Sequence, residues 1–168
     1  MAGQKPACIA GRSTGFEIRP ARDGDRRPLA ELFAAVAEER DGIAGEPPID
    51  VEKRAEIWRL DGTLVAAAGD DVVGFIHMQV SRFGFGEFGM LVAREWRGRG
   101  VGTALVAAAI DWSRERGLHK LCLSVFPHNE AAIALYRKFS FEEEGYRKKQ
   151  MRRASGELWD LVDMGLLL

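Results

Sequence analysis

A chain of 168 residues has about the length of one domain and buries roughly 70% of its unfolded surface on folding, so it needs no disulfide or metal staples. With 46% hydrophobic and 29% charged residues it lies outside the disordered, collagen-like and low-complexity classes. Lys and Arg number 24 against 25 Asp and Glu, a formal net charge of -1, which argues against a globally basic nucleic-acid binder and leaves room for a local anion site.

Residues 1–14 read as a flexible tail and 15–168 as one domain. The tail holds Cys8 after Lys5-Pro6-Ala7 and no apolar core of a signal peptide. No stretch approaches the roughly 18 apolar residues of a membrane span. Cys8 and Cys122, the latter inside Leu121-Cys122-Leu123, form neither a disulfide framework nor a metal site, so a reducing cytoplasm and no bound metal are expected.

Phe16-Glu17-Ile18-Arg19 alternates and stops at Pro20, which predicts a first strand. Leu29, Leu32, Phe33, Val36 and Ala37 recur at helical spacing from a start near Asp23 to Asp25, with Asp41-Gly42 as the stop. A Gly/Pro loop precedes a short helix from Asp50, its cap, to about Leu60. Thr63 to Ala68 and Val72 to Val80 are strands around a Gly69-Asp70-Asp71 turn, and a glycine-rich tip leads to a strand over Glu87 to Val92. Gly100 to Gly117 is a helix with Val101, Leu105, Ala108 and Trp112 on its apolar face. Leu121 to Phe126 is a strand, Asn129 caps a helix carrying Ile133, Leu135, Tyr136 and Phe139, and strands near Phe141 to Arg147 and Leu158 to Leu166 close the chain. The order β-α-α-β-β-β-α-β-α-β-β predicts an α+β fold: a mostly antiparallel twisted sheet of about seven strands, with one parallel step between the fourth and fifth, where a helix makes the crossover.

The segment Arg97-Gly98-Arg99-Gly100-Val101-Gly102 sits where that helix begins. Glycines at alternate positions leave backbone N–H groups unshielded at the positive end of a helix dipole, which suits an anion. From Arg94 to Gly100 three Arg face one Glu, so a phosphate is the natural occupant. The spacing is neither the dinucleotide fingerprint nor a Walker loop. Arg97-x-x-Gly100-x-Gly102 after a strand ending Met90-Leu91-Val92 resembles the acyl-coenzyme A motif of the GCN5-related N-acetyltransferase (GNAT) superfamily. The run from Leu123 through Asn129-Glu130-Ala131-Ala132-Ile133-Ala134-Leu135-Tyr136 to Phe141 is similar to the same family's downstream motif. The likeness covers Phe16 to the end. Ser140 departs from it, standing where many relatives have glycine at a helix end.

The resemblance implies transfer of an acetyl group from acetyl-CoA to a primary amine by direct attack. It implies that Gly98, Arg99, Gly100, Val101, Gly102 and Thr103, with Arg97, hold the pyrophosphate. Met90, Leu91 and Val92 pair with the pantetheine arm, and a backbone N–H near Leu91 faces the developing oxyanion. Asn129 and Tyr136, two helical turns apart, face the arm and the sulfur, with Tyr136 as general acid. Glu87 resembles the carboxylate that relatives acting on small amino acids use as base. His77 is the alternative base, although its apolar setting suits a satisfied core histidine. Relatives that acetylate the alanine terminus of a ribosomal protein carry Glu where this chain has Ser124, which weakens that reading.

For the acceptor, Glu38 to Asp50 holds five acidic residues against Arg40, an acidic rim expected to attract cationic amines. A small amine or amino-acid-like acceptor is the first expectation and a protein or peptide N terminus the second. An acyl-CoA-binding sensor or partner-binding module is the non-enzymatic alternative. The basic run Arg147-Lys148-Lys149 with Arg152-Arg153 lacks an aromatic ladder, so neither nucleic acid nor membrane is expected as a partner. Dimerisation is a further family expectation, with the Phe83-Gly84-Phe85-Gly86 tip and the Leu166-Leu167-Leu168 end as the contacts to consider.

Overall fold

A computed structural model describes residues 15–168; the expected tail, with Cys8, lies outside the described residues. The strands are β1 (Glu17–Pro20), β2 (Thr63–Ala68), β3 (Asp71–Val80), β4 (Phe85–Val92), β5 (Lys120–Val125), β6 (Glu142–Arg152) and β7 (Leu158–Leu167). The helices are α1 (Arg26–Ala37), α2 (Val51–Ile57), α3 (Val101–Glu115) and α4 (Glu130–Lys138). One sheet in the order β1-β2-β3-β4-β5-β7-β6 is antiparallel throughout except at β4 and β5, which run parallel as predicted.

Alternation along the strands divides the apolar residues between two faces. On one, Val101, Leu105, Val106 and Ile110 of α3 and Ile133 and Tyr136 of α4 pack on Ile76, Phe88, Leu121 and Met164. On the other, Leu29, Leu32 and Val36 of α1 pack with Trp58 on Val65, Phe75 and Leu91. Full burial of a Leu, such as Leu29 or Leu105 at 0% exposed, contributes about 1.5–3 kcal/mol. Asp25, 7% exposed, receives both Arg19 Nη1 (2.7 Å) and Nη2 (3.0 Å) and the Arg22 N–H (2.6 Å), which fixes the entry to α1 on the end of β1.

Several boundaries differ from expectation, most of them for a tertiary reason. Helix α1 stops at Ala37 and α2 at Ile57, short of the predicted Asp41 and Leu60. At Trp58 the backbone turns extended, which sets the indole edge-on to Phe75 (4.9 Å between centroids) and Phe33 (6.3 Å), and its carbonyl accepts from Arg26 Nη1. Strand β4 begins at Phe85 because Phe85 and Gly86 already pair with Lys120 and Leu121. Strand β6 runs on through the basic segment to Arg152, its ladder with β7 resuming past an irregularity between Arg147 and Met151. There Lys149 takes φ 52° and donates its N–H to Asp160 Oδ1 (2.6 Å). Ser140 adopts the left-handed conformation expected of that helix end, φ 65°. Among the described residues no helix is long and apolar enough to cross a membrane.

Candidate active site

The parallel ladder between β4 and β5 consists of three pairs and ends at Glu87 opposite Cys122, while β4 continues to Val92 and β5 to Val125. Past that point the strands part, and the β4 edge from Phe88 to Val92 that faces β5 has no strand beside it. This divergence is invisible in local sequence. A groove of about 1600 Å³ fills the opening, reaching from the glycine turn across the splay to the segment between α1 and α2. Met90, Leu91, Val92, Arg97, Gly98, Gly100, Gly102, Thr103, Asn129, Tyr136 and Glu87 all line it; Arg99 and Val101 do not.

At the head of α3 the N–H groups of residues 98–103 meet no acceptor within the described chain, the first helical bond there being Ala104 N–H to the Gly100 carbonyl. Gly98 (φ 72°) and Gly100 (φ 86°) are left-handed, and a Cβ on either would meet nothing within 4 Å. Open donors, free space and the helix dipole fit a pyrophosphate. The two arginines expected at the pyrophosphate are engaged within the chain itself. Arg97 forks onto Glu39 at the end of α1 (2.7 and 2.8 Å) and donates Nε to the Val92 carbonyl (3.0 Å), so its charge is neutralised within the fold. Arg99 lies over the Trp96 ring, 4.0 Å from its centroid. The Val101 side chain is buried beneath the sheet, leaving only its N–H to serve. Gly102 lets α4 approach, since a Cβ there would stand 3.1 Å from Leu135 Cδ2.

Asn129 caps α4 as predicted, its Oδ1 accepting the Ala132 N–H (3.2 Å). Two turns on, the Tyr136 ring packs against Phe88 (5.7 Å) and Phe141 (5.9 Å). Its hydroxyl has no hydrogen-bond partner among the described residues, yet it is not a sealed orphan, and the residue lines the groove. Burial pushes the phenol well above its ordinary pKa, so it keeps its proton. Phe88 and Glu87 are successive residues on β4 and point to opposite faces. Tyr136 therefore approaches the end of the ladder from the α3/α4 side while Glu87, exposed, stands on the α1/α2 side.

Other groups on that second face are placed by pairing. Thr63 Oγ1 gives its only proton to the Arg59 carbonyl (2.7 Å), so the 2.8 Å contact with His77 runs from Nδ1–H to Thr63 Oγ1 and leaves the Nε2 lone pair free. Burial, with Arg59 nearby, lowers the His77 pKa and keeps the ring neutral. The half-buried histidine is thus satisfied at one nitrogen, as expected of a core residue, but its ring also lines the groove. Ser124 donates to Asp163 Oδ1 (2.7 Å), and Arg147 Nη2 reaches both (2.7 and 2.6 Å), so this hydroxyl is already committed to a β5–β7–β6 network that sequence reading missed.

The acidic segment 38–50 is not an open rim. Glu39 is held by Arg97, His128 Nε2 lies 3.0 Å from the Asp41 carbonyl and 2.9 Å from its Oδ1, and Glu46 pairs with Arg153 Nε at 3.4 Å and accepts the Ala154 N–H (2.9 Å). Arg153, 4% exposed, also donates to the Ile43 and Ala44 carbonyls and stacks 4.3 Å above Trp159. These contacts tie the segment to the glycine turn, the β5–α4 loop and the β6–β7 hairpin, and two of its five carboxylates are offset by arginines. Sequence reading also missed the wall formed by Phe33, Trp58 and Phe75, and Arg54 stacked upon it. The one available signal was the i, i+4 spacing of Arg54 and Trp58 within the predicted helix, although the structure ends that helix at Ile57.

The model of the acetyltransferase (GNAT) family matches residues 29–141. An L-amino acid N-acetyltransferase of Escherichia coli is 37% identical over 109 residues, 60% of this chain and 65% of that relative, so the match spans less than two thirds of its length. An L-methionine sulfoximine/L-methionine sulfone acetyltransferase of Pseudomonas aeruginosa is 28% identical over 163 residues, 90% of this chain and 94% of that one. Among solved structures, a ribosomal-protein-alanine N-acetyltransferase from Brucella melitensis superposes with a TM-score of 0.80 at 32% identity, covering 90% of this chain and 99% of that one.

Proposed function

The chain belongs to the acetyltransferase (GNAT) family, and on that footing we propose that it is an N-acetyltransferase that moves the acetyl group of acetyl-CoA to the primary amine of a small, amino-acid-like acceptor, by direct attack in a ternary complex. The observation that carries this reading is the end of the β4–β5 ladder at Glu87 and Cys122, which opens one slot with Glu87 on one face of the sheet and Tyr136 on the other.

Acetyl-CoA supplies the thioester. The open N–H groups of 98–103 bind its pyrophosphate, and the unpaired β4 edge at Met90, Leu91 and Val92 takes the pantetheine arm as an added strand, with Asn129 facing it. A β4 N–H near Leu91 donates to the carbonyl oxygen as charge develops there. Glu87 accepts the proton that the amine loses on attack, and Tyr136 donates its O–H to the departing sulfur. The clamped 38–50 segment favours a compact acceptor over an extended peptide. The named activities of the Escherichia coli and Pseudomonas aeruginosa relatives, both on amino acids or their analogues, support the same class. A peptide N terminus is the second reading, favoured by the Brucella melitensis neighbour and opposed by Ser124.

The test is thiol release from acetyl-CoA against a panel of amines, amino acids and peptides. Turnover of small amines is expected. Tight acetyl-CoA binding with no turnover of any acceptor overturns the enzymatic reading in favour of an acyl-CoA sensor.

A further inference from the structure

Ion pairing ties down part of the charge around the groove: Arg97 is spent on Glu39. Arg54, on α2, is not so engaged: it lines the groove, as Arg59 and Lys138 also do, and its guanidinium makes no ion pair or hydrogen bond to any described residue. It is not a loose surface chain either. Its guanidinium lies 3.8 Å above the centre of the Phe33 ring and 5.2 Å from that of Trp58, so α1, α2 and the indole fix its place. Burial alone perturbs it, lowering its pKa with no carboxylate close enough to offset the cost. A half-buried cation, held by stacking and lacking a counter-ion beside an open groove, leaves its donor fork available to an anionic ligand.

Its position relative to Glu87 says which anion. Trp58 packs on Phe75 of β3. On the same face of β3 follow His77, opposite Gly89, and then Gln79, opposite Glu87. Each such step is about 6.8 Å, so Glu87 stands two steps along the strand from the wall that carries Arg54, and both residues line the same groove. An amine and a carboxylate on one carbon, with a hydrogen bond at each end, span roughly 9 Å. The rest of the two-step span falls to the reach of the Glu87 and Arg54 side chains, so a single α-amino acid has the length to place its ammonium at Glu87 and its carboxylate at Arg54.

We propose that Arg54 is the anchor for the acceptor's free α-carboxylate, so that the acceptors are α-amino acids and not simple amines or peptide N termini; this rests on the acetyl-transfer reading above. Phe33, Trp58 and the exposed Ile57 offer the acceptor's side chain an apolar neighbour.

The experiment uses the full chain with saturating acetyl-CoA, the twenty common L-amino acids and, for each one turned over, its carboxamide. The amide keeps the amine and side chain but removes the negative charge. The wild type is expected to show a KM for the acid at least tenfold below that for the amide. Arg54→Gln raises the acid's KM by about tenfold to hundredfold, the loss of a charge-assisted pair, leaves kcat within about threefold, and erases the acid-to-amide preference. Arg54→Lys keeps part of that preference and serves if the Gln variant does not fold. An amide used as well as its acid by the wild type, or an acid KM unmoved in a folded Arg54→Gln protein, overturns the proposal while acetyl transfer stands. If no acceptor is turned over, acetyl transfer falls by itself. Arg54 is then judged by quenching of Trp58 fluorescence with L-leucine against L-leucinamide, where equal quenching overturns the assignment.

Discussion

Replacing Tyr136 by phenylalanine removes one oxygen and leaves the ring contacts with Phe88 and Phe141 in place. The lost hydroxyl has no partner in the described chain, so none of the 0.5–1.5 kcal/mol that a typical internal hydrogen bond contributes is forfeited. Stability should therefore change by less than about 0.5 kcal/mol, which for a chain of this size is about 2 °C in Tm or less. The rate should behave otherwise. A positioned acid contributes about 10²- to 10⁴-fold, so kcat in the thiol-release assay should fall at least about 100-fold, close to 2.7 kcal/mol of barrier, with the KM for acetyl-CoA nearly constant. Because burial raises the phenol's pKa, the proton is held throughout the neutral and moderately alkaline range. The wild-type kcat should then show no tyrosine-dependent decline below pH about 10. An unchanged kcat in a stable Tyr136→Phe protein would reduce the residue to core packing. A falling limb below pH 10 that disappears in the variant would show that the hydroxyl is hydrated and the argument from burial wrong.

Glu87→Gln should lower kcat about 100-fold at neutral pH without weakening acetyl-CoA binding measured by calorimetry; a full rate would reject Glu87 as base. Ser140→Gly relieves a left-handed serine at the end of α4, worth about 1 kcal/mol less the chain entropy that glycine adds when unfolded, so Tm should rise by about 2 °C; a lower Tm would mean that serine is specifically held there. Glu46→Gln strips the carboxylate from the buried Arg153 guanidinium and should cost about 3 kcal/mol in denaturant unfolding. Combining it with Arg153→Met should cost less than the two single changes together, and strict additivity would show the pair uncoupled.

How far the sequence could be read follows from the range of each interaction. The cap at Asn129, the hairpin at Gly69-Asp70, the glycine turn and the left-handed Ser140 are local, decided within a few residues, and the structure has them where they were expected. The early stop of α2 is not local, because Trp58 leaves the helix to reach Phe75, 17 positions away in the chain. Nor is the extension of β6 through Lys148 and Lys149, which needs β7 alongside. The splay is the clearest case. Nothing in Glu87 to Val92 or Cys122 to Val125 says that two parallel strands will part after three pairs, yet the slot that makes a site of this fold is that parting.

The charges of the site show why composition misleads at this scale. Glu39 and Glu46 look like part of a field waiting for a cation, but partners 58 and 107 positions along the chain, Arg97 and Arg153, hold them as struts. Beside the unpaired Arg59, Glu130 and Lys138, two sets of groups bear on the two halves of the groove. The donor half keeps backbone N–H groups at a helix start, which attract phosphate without any side-chain charge. The acceptor half keeps the exposed carboxylate of Glu87 and the stacked guanidinium of Arg54. A lone amine answers only the first of these two, and its approach leaves a desolvated cation uncompensated. A zwitterion answers both and adds no net charge to a groove already balanced, so the acceptor that asks least of this electrostatic arrangement is a free amino acid.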